Sequence, residues 1–136
     1  KTFGALTYFL PGMPLIYNGQ EYGLEKRLEF FEKDFIPKNK SDFYDFYSNL
    51  NLIKKKNNLL NIDSKVKFEV IEIENKNIVC FKRSKANESI YFIANLSDEI
   101  LEFKTGIKGN FQSIIKKSNY TLESNTLKGW EFHILK

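Results

Sequence analysis

The chain has 136 residues and a mass of 16.0 kDa, with 42% apolar, 15% aromatic and 28% charged side chains, three prolines and one cysteine. This composition excludes a collagen-like, a disulfide-stapled or an intrinsically disordered protein, because large apolar side chains are plentiful and cysteines are too few to cross-link. We expect one or two small globular units.

Basic residues exceed acidic ones by four, which raises the question of nucleic-acid binding. The excess is spread evenly, since residues 1–60 and residues 61–136 each carry a net charge of +2. A nucleic-acid site needs clustered basic side chains, and only Lys54–Lys56 and Lys116–Lys117 cluster here. We therefore predict no nucleic-acid partner. No apolar run approaches the ~20 residues of a bilayer-spanning helix, so we predict no membrane span.

A short apolar run, Pro14 to Tyr17, lies between two turns in the first part of the chain. Continuous apolar character is typical of a strand buried on both faces, as in a parallel sheet, and proline is tolerated where it opens the strand. The polar residues Asn18, Gln20 and Glu21 follow at the carboxyl end of this predicted strand. In a βα-barrel, active sites are assembled at that end.

Residues 41–60 show the spacing of an amphipathic helix. Its apolar stripe consists of Phe43, Phe46, Tyr47, Leu50 and Ile53. Ser41 is the predicted N-cap, with Asp42 and Asp45 in the first turn and Lys54–Lys56 in the last. These charges complement the helix dipole, so the lysine run is explained without a binding patch.

After residue 61 the apolar pattern changes to a period of two. Alternation from Val66 to Val70, a polar turn at 74–77 and the apolar run 78–81 predict a β-hairpin. Further apolar runs at 90–94, 101–103, 111–115, 120–122 and 130–135 follow at spacings of roughly ten residues, which is typical of an antiparallel sandwich with Greek-key connections.

Few side chains in this second part suggest chemistry. Alternation places His133 with Glu131 on the solvent face of the last strand, opposite Trp130 and Phe132. No second histidine or cysteine pair accompanies it, so we predict no metal site. Cys80 is predicted to be a small buried hydrophobe.

The segment from Leu10 to Gly23 resembles the eighth-strand region of the α-amylase superfamily of glycoside hydrolases, which carries the pattern Pro-Gly-x-Pro-x-Ile-Tyr-x-Gly-x-Glu. The matching positions are Pro11, Gly12, Pro14, Ile16, Tyr17, Gly19 and Glu21. The charged loop at 26–34 is similar to the loop after that strand, and the helix predicted after Ser41 stands where the last barrel helix belongs. Ile93 to Ser97 resembles a strand of the C-terminal domain, so the resemblance covers the whole chain.

The resemblance implies an α/β part followed by an all-β part. Residues 1–60 would be the last βα unit of a TIM-type barrel (the end of helix 7, strand 8 and helix 8), and residues 61–136 a small antiparallel Greek-key β-sandwich. The parent enzyme would cleave α-glucosidic bonds of starch-type glucans with retention, using an Asp nucleophile, a Glu acid/base and a second Asp, all expected upstream of Lys1. Because retaining cleavage needs two carboxyl groups about 5–5.5 Å apart, the fragment alone is expected to be inactive.

The residues expected at the rim of the substrate site, or supporting it, are Tyr17, Asn18, Gln20, Glu21 and Tyr22. Glu21 would hold the loop through an arginine or a backbone donor, and the two tyrosines would either pack or stack on a sugar ring. The implied partners are an α-glucan or maltooligosaccharide substrate and the rest of the barrel. No cofactor is expected in the fragment, and calcium in the parent is left open, as is localisation.

Two other hypotheses belong to different classes. In the first, residues 62–136 form a non-catalytic carbohydrate-binding module that uses exposed aromatic side chains, for which Trp130, Tyr91 and Tyr120 are the candidates. In the second, the same residues form a basic β-domain for single-stranded nucleic acid, which the dispersed charge supports least. An alternative for Trp130 is a place in the sandwich core or between domains.

Overall fold

The computed structural model describes residues 1–63 and 65–136 and is mostly antiparallel sheet with two helices. The helices are α1 (Thr2–Phe9) and α2 (Asp42–Lys56), and short 3-10 turns lie at Gln20–Tyr22 and Asn58–Leu60. The strands are β1 (Lys67–Val70), β2 (Ile78–Lys85), β3 (Glu88–Asn95), β4 (Leu101–Lys104), β5 (Phe111–Gln112), β6 (Asn119–Tyr120), β7 (Ser124–Leu127) and β8 (Phe132–Leu135). Neither helix is long and apolar enough to cross a membrane within the described residues.

A four-stranded antiparallel sheet with the order β1-β2-β3-β8 forms the centre of the molecule. The predicted first hairpin is confirmed, with Val70 paired to Phe81 and Lys67 to Ser84. The remaining strands form two ribbons, β4 with β7 and β5 with β6. Both faces of the central strands are buried, which is why the last six residues of β3 are all buried.

One face of the sheet packs against the two helices. The buried residues of this core are Ala5, Tyr8, Phe9, Tyr47, Leu50, Leu59, Leu60, Phe81, Ile90, Phe92, Ala94 and Ile134. The core therefore combines side chains from both parts of the predicted organisation. Phe92 stacks between Phe81 and Phe9, at ring-centroid distances of 5.2 Å and 5.7 Å.

The other face of the sheet packs against the β4–β7 ribbon and its connections. The buried residues of this second core are Ile78, Cys80, Tyr91, Ile93, Phe103, Leu122, Leu127 and Leu135. Cys80 is buried as predicted, and burial raises the pKa of its thiol to about 12.

Helix α2 forms within the residues 41–60 predicted for it, but it stops at Lys56 and a separate 3-10 turn follows at Asn58–Leu60. The Ser41 hydroxyl oxygen accepts a hydrogen bond from the backbone N–H of Phe43, and the acidic and basic residues occupy the first and last turns. The helix ends at Asn57, whose side-chain oxygen accepts from the N–H of Leu59. Tyr47 and Leu50 are the buried members of the predicted apolar stripe.

The strand predicted at Pro14 to Tyr17 does not form. These residues lie outside any helix or strand, and no strand pairing of the described chain includes them. The physical reason is that a strand needs a hydrogen-bonded neighbour, and the described residues supply none. Their exposure nevertheless alternates: Met13, Leu15 and Tyr17 are exposed, whereas Pro14 and Ile16 are half-buried.

The prediction that His133 faces solvent is wrong. Its side chain is 5% exposed, and the ring of Tyr120 lies over it at a centroid distance of 4.0 Å. Phe132 lies on the opposite face of β8, as predicted, and packs on the helix-side core, whereas the face of His133 is covered by Tyr120 of β6 rather than by water. Trp130 precedes the strand, is 47% exposed and lies 6.0 Å from the ring of Phe3 on α1.

Candidate functional site

The loop after residue 17 is shaped by two glycines on either side of a 3-10 turn. Gly19 and Gly23 both adopt left-handed backbone angles, with φ of 101° and 71°. The N–H of Tyr22, inside the turn, and the N–H of Leu24, directly after it, both donate to the carbonyl oxygen of Gly19. Glycine accepts these angles without the strain that a Cβ atom would bring, so the sequence Gly-x-x-x-Gly allows this compact turn.

Two of the predicted site residues hold the backbone of this loop. The Gln20 side-chain oxygen accepts from the N–H of Tyr17 at 2.8 Å, and the Glu21 carboxylate accepts from the N–H of Gly19 at 3.0 Å. The Ser41 hydroxyl also donates to the backbone carbonyl of Glu21 at 3.3 Å. The loop is therefore tied to the N-terminus of α2.

The two tyrosines differ in position. Tyr17 is 57% exposed, whereas Tyr22 is half-buried and stacks on Tyr44 of α2 at a centroid distance of 6.2 Å. Tyr22 therefore packs, which is one of its two expected roles, and Tyr17 presents its ring to the surface.

A cleft of about 380 Å³ lies between this loop and α2. Its lining residues are Ile16, Asn18, Glu21, Tyr44, Tyr47, Ser48 and Asn51. Of the predicted site residues, Asn18 and Glu21 come together there, whereas Tyr17, Gln20 and Tyr22 do not line it. Sequence reasoning missed the contribution of α2, although Tyr44, Ser48 and Asn51 recur at spacings of four and three beside the apolar stripe.

One lining residue, Tyr47, is a buried phenol, and a second buried phenol, Tyr8, contacts the lining residue Asn51. Burial, and then the negative charge of Glu21, raise the pKa of Tyr47. Burial, and then Tyr47, raise the pKa of Tyr8, whose hydroxyl donates to the side-chain oxygen of Asn51 at 2.8 Å. Both phenols are therefore neutral hydrogen-bonding groups at neutral pH.

These side chains suit the binding of a polyhydroxylated ligand better than bond cleavage. The cleft offers carboxylate, amide, hydroxyl and aromatic groups, which hydrogen-bond and stack on sugars. Glu21 is the sole carboxylate among its lining residues, and retaining glycoside cleavage needs two. No cluster of three or more His, Cys, Asp or Glu side chains suited to a metal ion occurs among residues 1–63 and 65–136.

A larger groove of about 840 Å³ lies elsewhere, between the β1–β2 connection and the β4–β7 ribbon. Its walls carry three glutamates and one lysine together with apolar and small polar residues: Glu72, Ile73, Glu74, Asn75, Glu102, Phe103, Lys104, Ser124, Asn125 and Thr126. No sequence motif falls in it, so we place the candidate site at the smaller cleft, where the Pro-Gly-x-Pro motif ends.

Replacing Gly19 by alanine is expected to lower the free energy of unfolding by about 1–3 kcal/mol. A Cβ atom there would lie 2.7 Å from Cδ2 of Leu24, in a backbone conformation that side chains rarely adopt. Urea denaturation measures the loss. Gly12→Ala is the matched control, because Gly12 also has a positive φ (125°) but a Cβ atom there would meet nothing within 4 Å. Equal losses at the two positions would contradict close packing at Gly19.

Comparison with solved structures identifies the fold. The chain superposes on a noncanonic maltogenic alpha-amylase, AmyB from Thermotoga neapolitana, with a TM-score of 0.81 and 19% identity, over 98% of this chain and 35% of that chain. The structure of AmyP in complex with maltose gives a TM-score of 0.73 at 14% identity, over 98% and 33%. An Anoxybacillus alpha-amylase gives 0.68 at 18% identity, over 96% and 30%.

At these identities the likeness shows the fold, and the chain spans about a third of the length of each of these proteins. The resemblance to part of an α-amylase superfamily enzyme is thereby confirmed at the level of the fold. No protein-family model matches the chain. No curated protein matches it either.

Proposed function

We propose that this chain is the C-terminal part of an α-amylase-like glycoside hydrolase, which acts with retention on α-glucosidic bonds of starch-type glucans. The observation that carries the proposal is the fold likeness to a maltogenic alpha-amylase over 98% of the chain. Residues 1–60 would be the last βα unit of the barrel, and residues 61–136 the Greek-key sandwich that follows it. The catalytic carboxylates would lie on segments of the parent outside this chain.

The alternation of exposure at residues 13–17 supports a barrel partner. Met13 and Leu15 are 75% and 81% exposed, although both are apolar, and Ile16 packs on the helix-side core. A segment with one face on the core and one apolar face uncovered is what remains of a barrel strand without its neighbours. We propose that the rest of the barrel covers this face and supplies the neighbouring strands to which residues 14–17 would hydrogen-bond.

In this proposal the loop at 17–22 supports the rim of the glucan site. Gln20 and Glu21 already satisfy the loop's own N–H groups, so their role is to fix its shape. Asn18 and Tyr17 are exposed and free to meet a sugar. AmyP was crystallised with maltose and a Glu-to-Gln variant of it with maltotriose, and we propose ligands of that class for the parent of this chain.

The test compares the 136-residue chain with the same chain extended by the polypeptide encoded directly before Lys1. The extended protein is expected to release reducing ends from maltooligosaccharides, with the α-anomer formed first, whereas the shorter chain releases none. Reducing-end assays and NMR of the nascent anomer measure both results. Cleavage by the shorter chain, or none by the extended one, would contradict the proposal.

The carbohydrate-module hypothesis fits the structure less well. Of its three candidate aromatic residues, Tyr91 is buried, Tyr120 is half-buried with its hydroxyl inside, and only Trp130 is exposed. These three residues therefore do not form a row of exposed rings on one face of the sheet. Saturable quenching of Trp130 fluorescence by maltotriose in the 136-residue chain would favour the module instead.

A further inference from the structure

The β5–β6 ribbon is held against the edge of β8 by a small set of contacts. The N–H of Gln112 donates to the carbonyl of Lys136 and the reverse bond also forms, at 2.9 Å and 3.0 Å. The N–H of Ile114 donates to the carbonyl of Ile134 at 2.8 Å. The ribbon then turns back and lays the ring of Tyr120 over the imidazole of His133.

This stack contains two buried polar atoms without partners. Nδ1 of His133 and the hydroxyl of Tyr120 are both buried, and neither has a hydrogen-bond partner among residues 1–63 and 65–136. A proton added to the imidazole at Nδ1 would therefore lack an acceptor. Unpaired buried donors destabilise the state that contains them.

The charges around His133 do not favour a second positive charge. One carboxylate oxygen of Glu131 lies 3.2 Å from Nε2 of His133. The same oxygen also forms an ion pair with the ammonium group of Lys116. Its other oxygen accepts from the backbone N–H of Lys128 at 2.9 Å. Lys116 thus already neutralises the carboxylate, and its own charge opposes protonation of the nearby imidazole.

We propose that His133 is a proton-sensitive latch, whose protonation releases residues 111–120, the β5–β6 ribbon, from the edge of β8. The closed ribbon accommodates a neutral imidazole beneath Tyr120. The opened ribbon lets water solvate the imidazolium ion. Acid therefore favours opening, and the opened form exposes Tyr91 and Leu135, which belong to the second core.

The neighbouring groups do not titrate in the same range. Burial, and then the charge of Lys116, lower the pKa of His133 below its ordinary 6.5, against the opposite effect of Glu131. Burial opposes ionisation of Glu131, but the hydrogen bonds from Lys116 and from the Lys128 N–H outweigh it and keep its pKa below the ordinary 4.5. Burial raises the pKa values of Tyr120 and Cys80, so both stay neutral.

The direction of the pH dependence follows from which form of the ribbon binds the proton more readily. A histidine whose pKa is lower in the closed form binds its proton more readily in the open form, so closure is stable above pH 6.5 and weakens as the pH falls below it. Each unit by which the pKa is lowered corresponds to a tenfold change in the opening equilibrium.

Hydrogen exchange on the full chain tests the latch, compared at about pH 7.5 and about pH 5 after correction for intrinsic rates. We expect protection of the Gln112 and Ile114 amides to fall about tenfold at the lower pH, relative to the β2–β3 amides. His133→Gln, which cannot take the proton, is expected to remove the difference. A fall shared equally by ribbon and sheet, or an identical fall in the variant, would overturn the latch.

Two further measurements keep the test decisive if His133→Gln does not fold. His133 is the only histidine, so its imidazole C–H resonance reports its pKa directly in the unmodified chain. A midpoint below the ordinary value supports the latch, and one at or above it overturns it. Lys116→Gln removes the competing charge and is expected to reduce the pH dependence of ribbon protection. An unchanged dependence would count against the latch.

Discussion

Phe92→Ala is expected to lower the free energy of unfolding by about 3–5 kcal/mol, because it removes a fully buried ring and leaves a cavity. Phe92 is inaccessible to solvent, and its ring lies between Phe81, Phe9 and Phe132, the last at a centroid distance of 6.1 Å. Domains of this size are stabilised by only about 5–15 kcal/mol, so the loss is a large fraction of the total. Urea denaturation followed by circular dichroism measures it.

The matched control is Phe31→Ala, which removes the same ring from a side chain that is 91% exposed. Its effect should stay within about 0.5 kcal/mol, as for most surface substitutions. A loss below about 1.5 kcal/mol at Phe92 would mean that the core collapses around the missing ring.

The same variant tests whether the helices and the sheet unfold together. Phe9 belongs to α1 and Phe81 and Phe92 to the sheet, so the ring stack crosses the boundary predicted near residue 60. Trp130 reports on this junction, because its ring lies beside Phe3 and its carbonyl accepts a hydrogen bond from the hydroxyl of Thr2. We expect tryptophan fluorescence and circular dichroism to give one coincident transition. Separate transitions would show that residues 1–60 unfold independently.

Sequence patterns were sufficient to predict the elements that are stabilised by contacts within one short segment of the chain. Helix α2 carries its own cap, its own charges at both ends and one apolar stripe, so its existence and its start follow from the local sequence, although the predicted end at residue 60 includes a separate 3-10 turn. The β1–β2 hairpin is likewise encoded by alternation around a polar turn. Strand β7, Ser124 to Leu127, was missed because only Leu127 is apolar and the strand is defined by its pairing with β4.

Sequence patterns were not sufficient where the structure depends on residues that are distant in the chain. Alternation assigns His133 and Phe132 to opposite faces, but it does not reveal that both faces are covered. The segment 14–17 has the composition of a buried strand, yet strand formation depends on partners outside the local sequence. At the candidate site, the motif indicated Asn18 and Glu21, whereas Tyr47 and Asn51 enter through the packing of α2.

Arg83→Met is expected to lower the free energy of unfolding by about 2–3 kcal/mol, because the side chain ties strand β2 to two other stretches of backbone. Arg83 is 3% exposed and donates to the carbonyls of Phe9, Leu10 and Asn61, at 3.4, 3.3 and 3.0 Å. The first two acceptors close the C-terminus of α1, where a cation also complements the helix dipole. Urea denaturation measures the loss.

Lys82→Met on the same strand is the matched control. Lys82 precedes Arg83 on β2, and its ammonium group lies 3.6 Å from the Glu69 carboxylate in a partly exposed ion pair. Such pairs contribute about 0–1 kcal/mol, so this variant should be close to the unmodified chain. The difference between the two variants then reports the buried contacts of Arg83 rather than the loss of one positive charge.

Two effects oppose each other at Arg83. Burial lowers the pKa of its guanidinium group, and its Nε atom has no hydrogen-bond partner in the part of the chain that the structure describes, so methionine removes a desolvated charge and one unsatisfied donor. Against this, three carbonyls lose their donor, and each unsatisfied buried group costs about 1–3 kcal/mol, so the loss outweighs the gain. Burial and then Arg83 also lower the pKa of Lys54, whose ammonium group donates to the carbonyls of Gly12 and Leu60. Arg83→Met should therefore raise the pKa of Lys54, which NMR can measure. Unchanged stability together with an unchanged pKa of Lys54 would contradict the role of Arg83 at this junction.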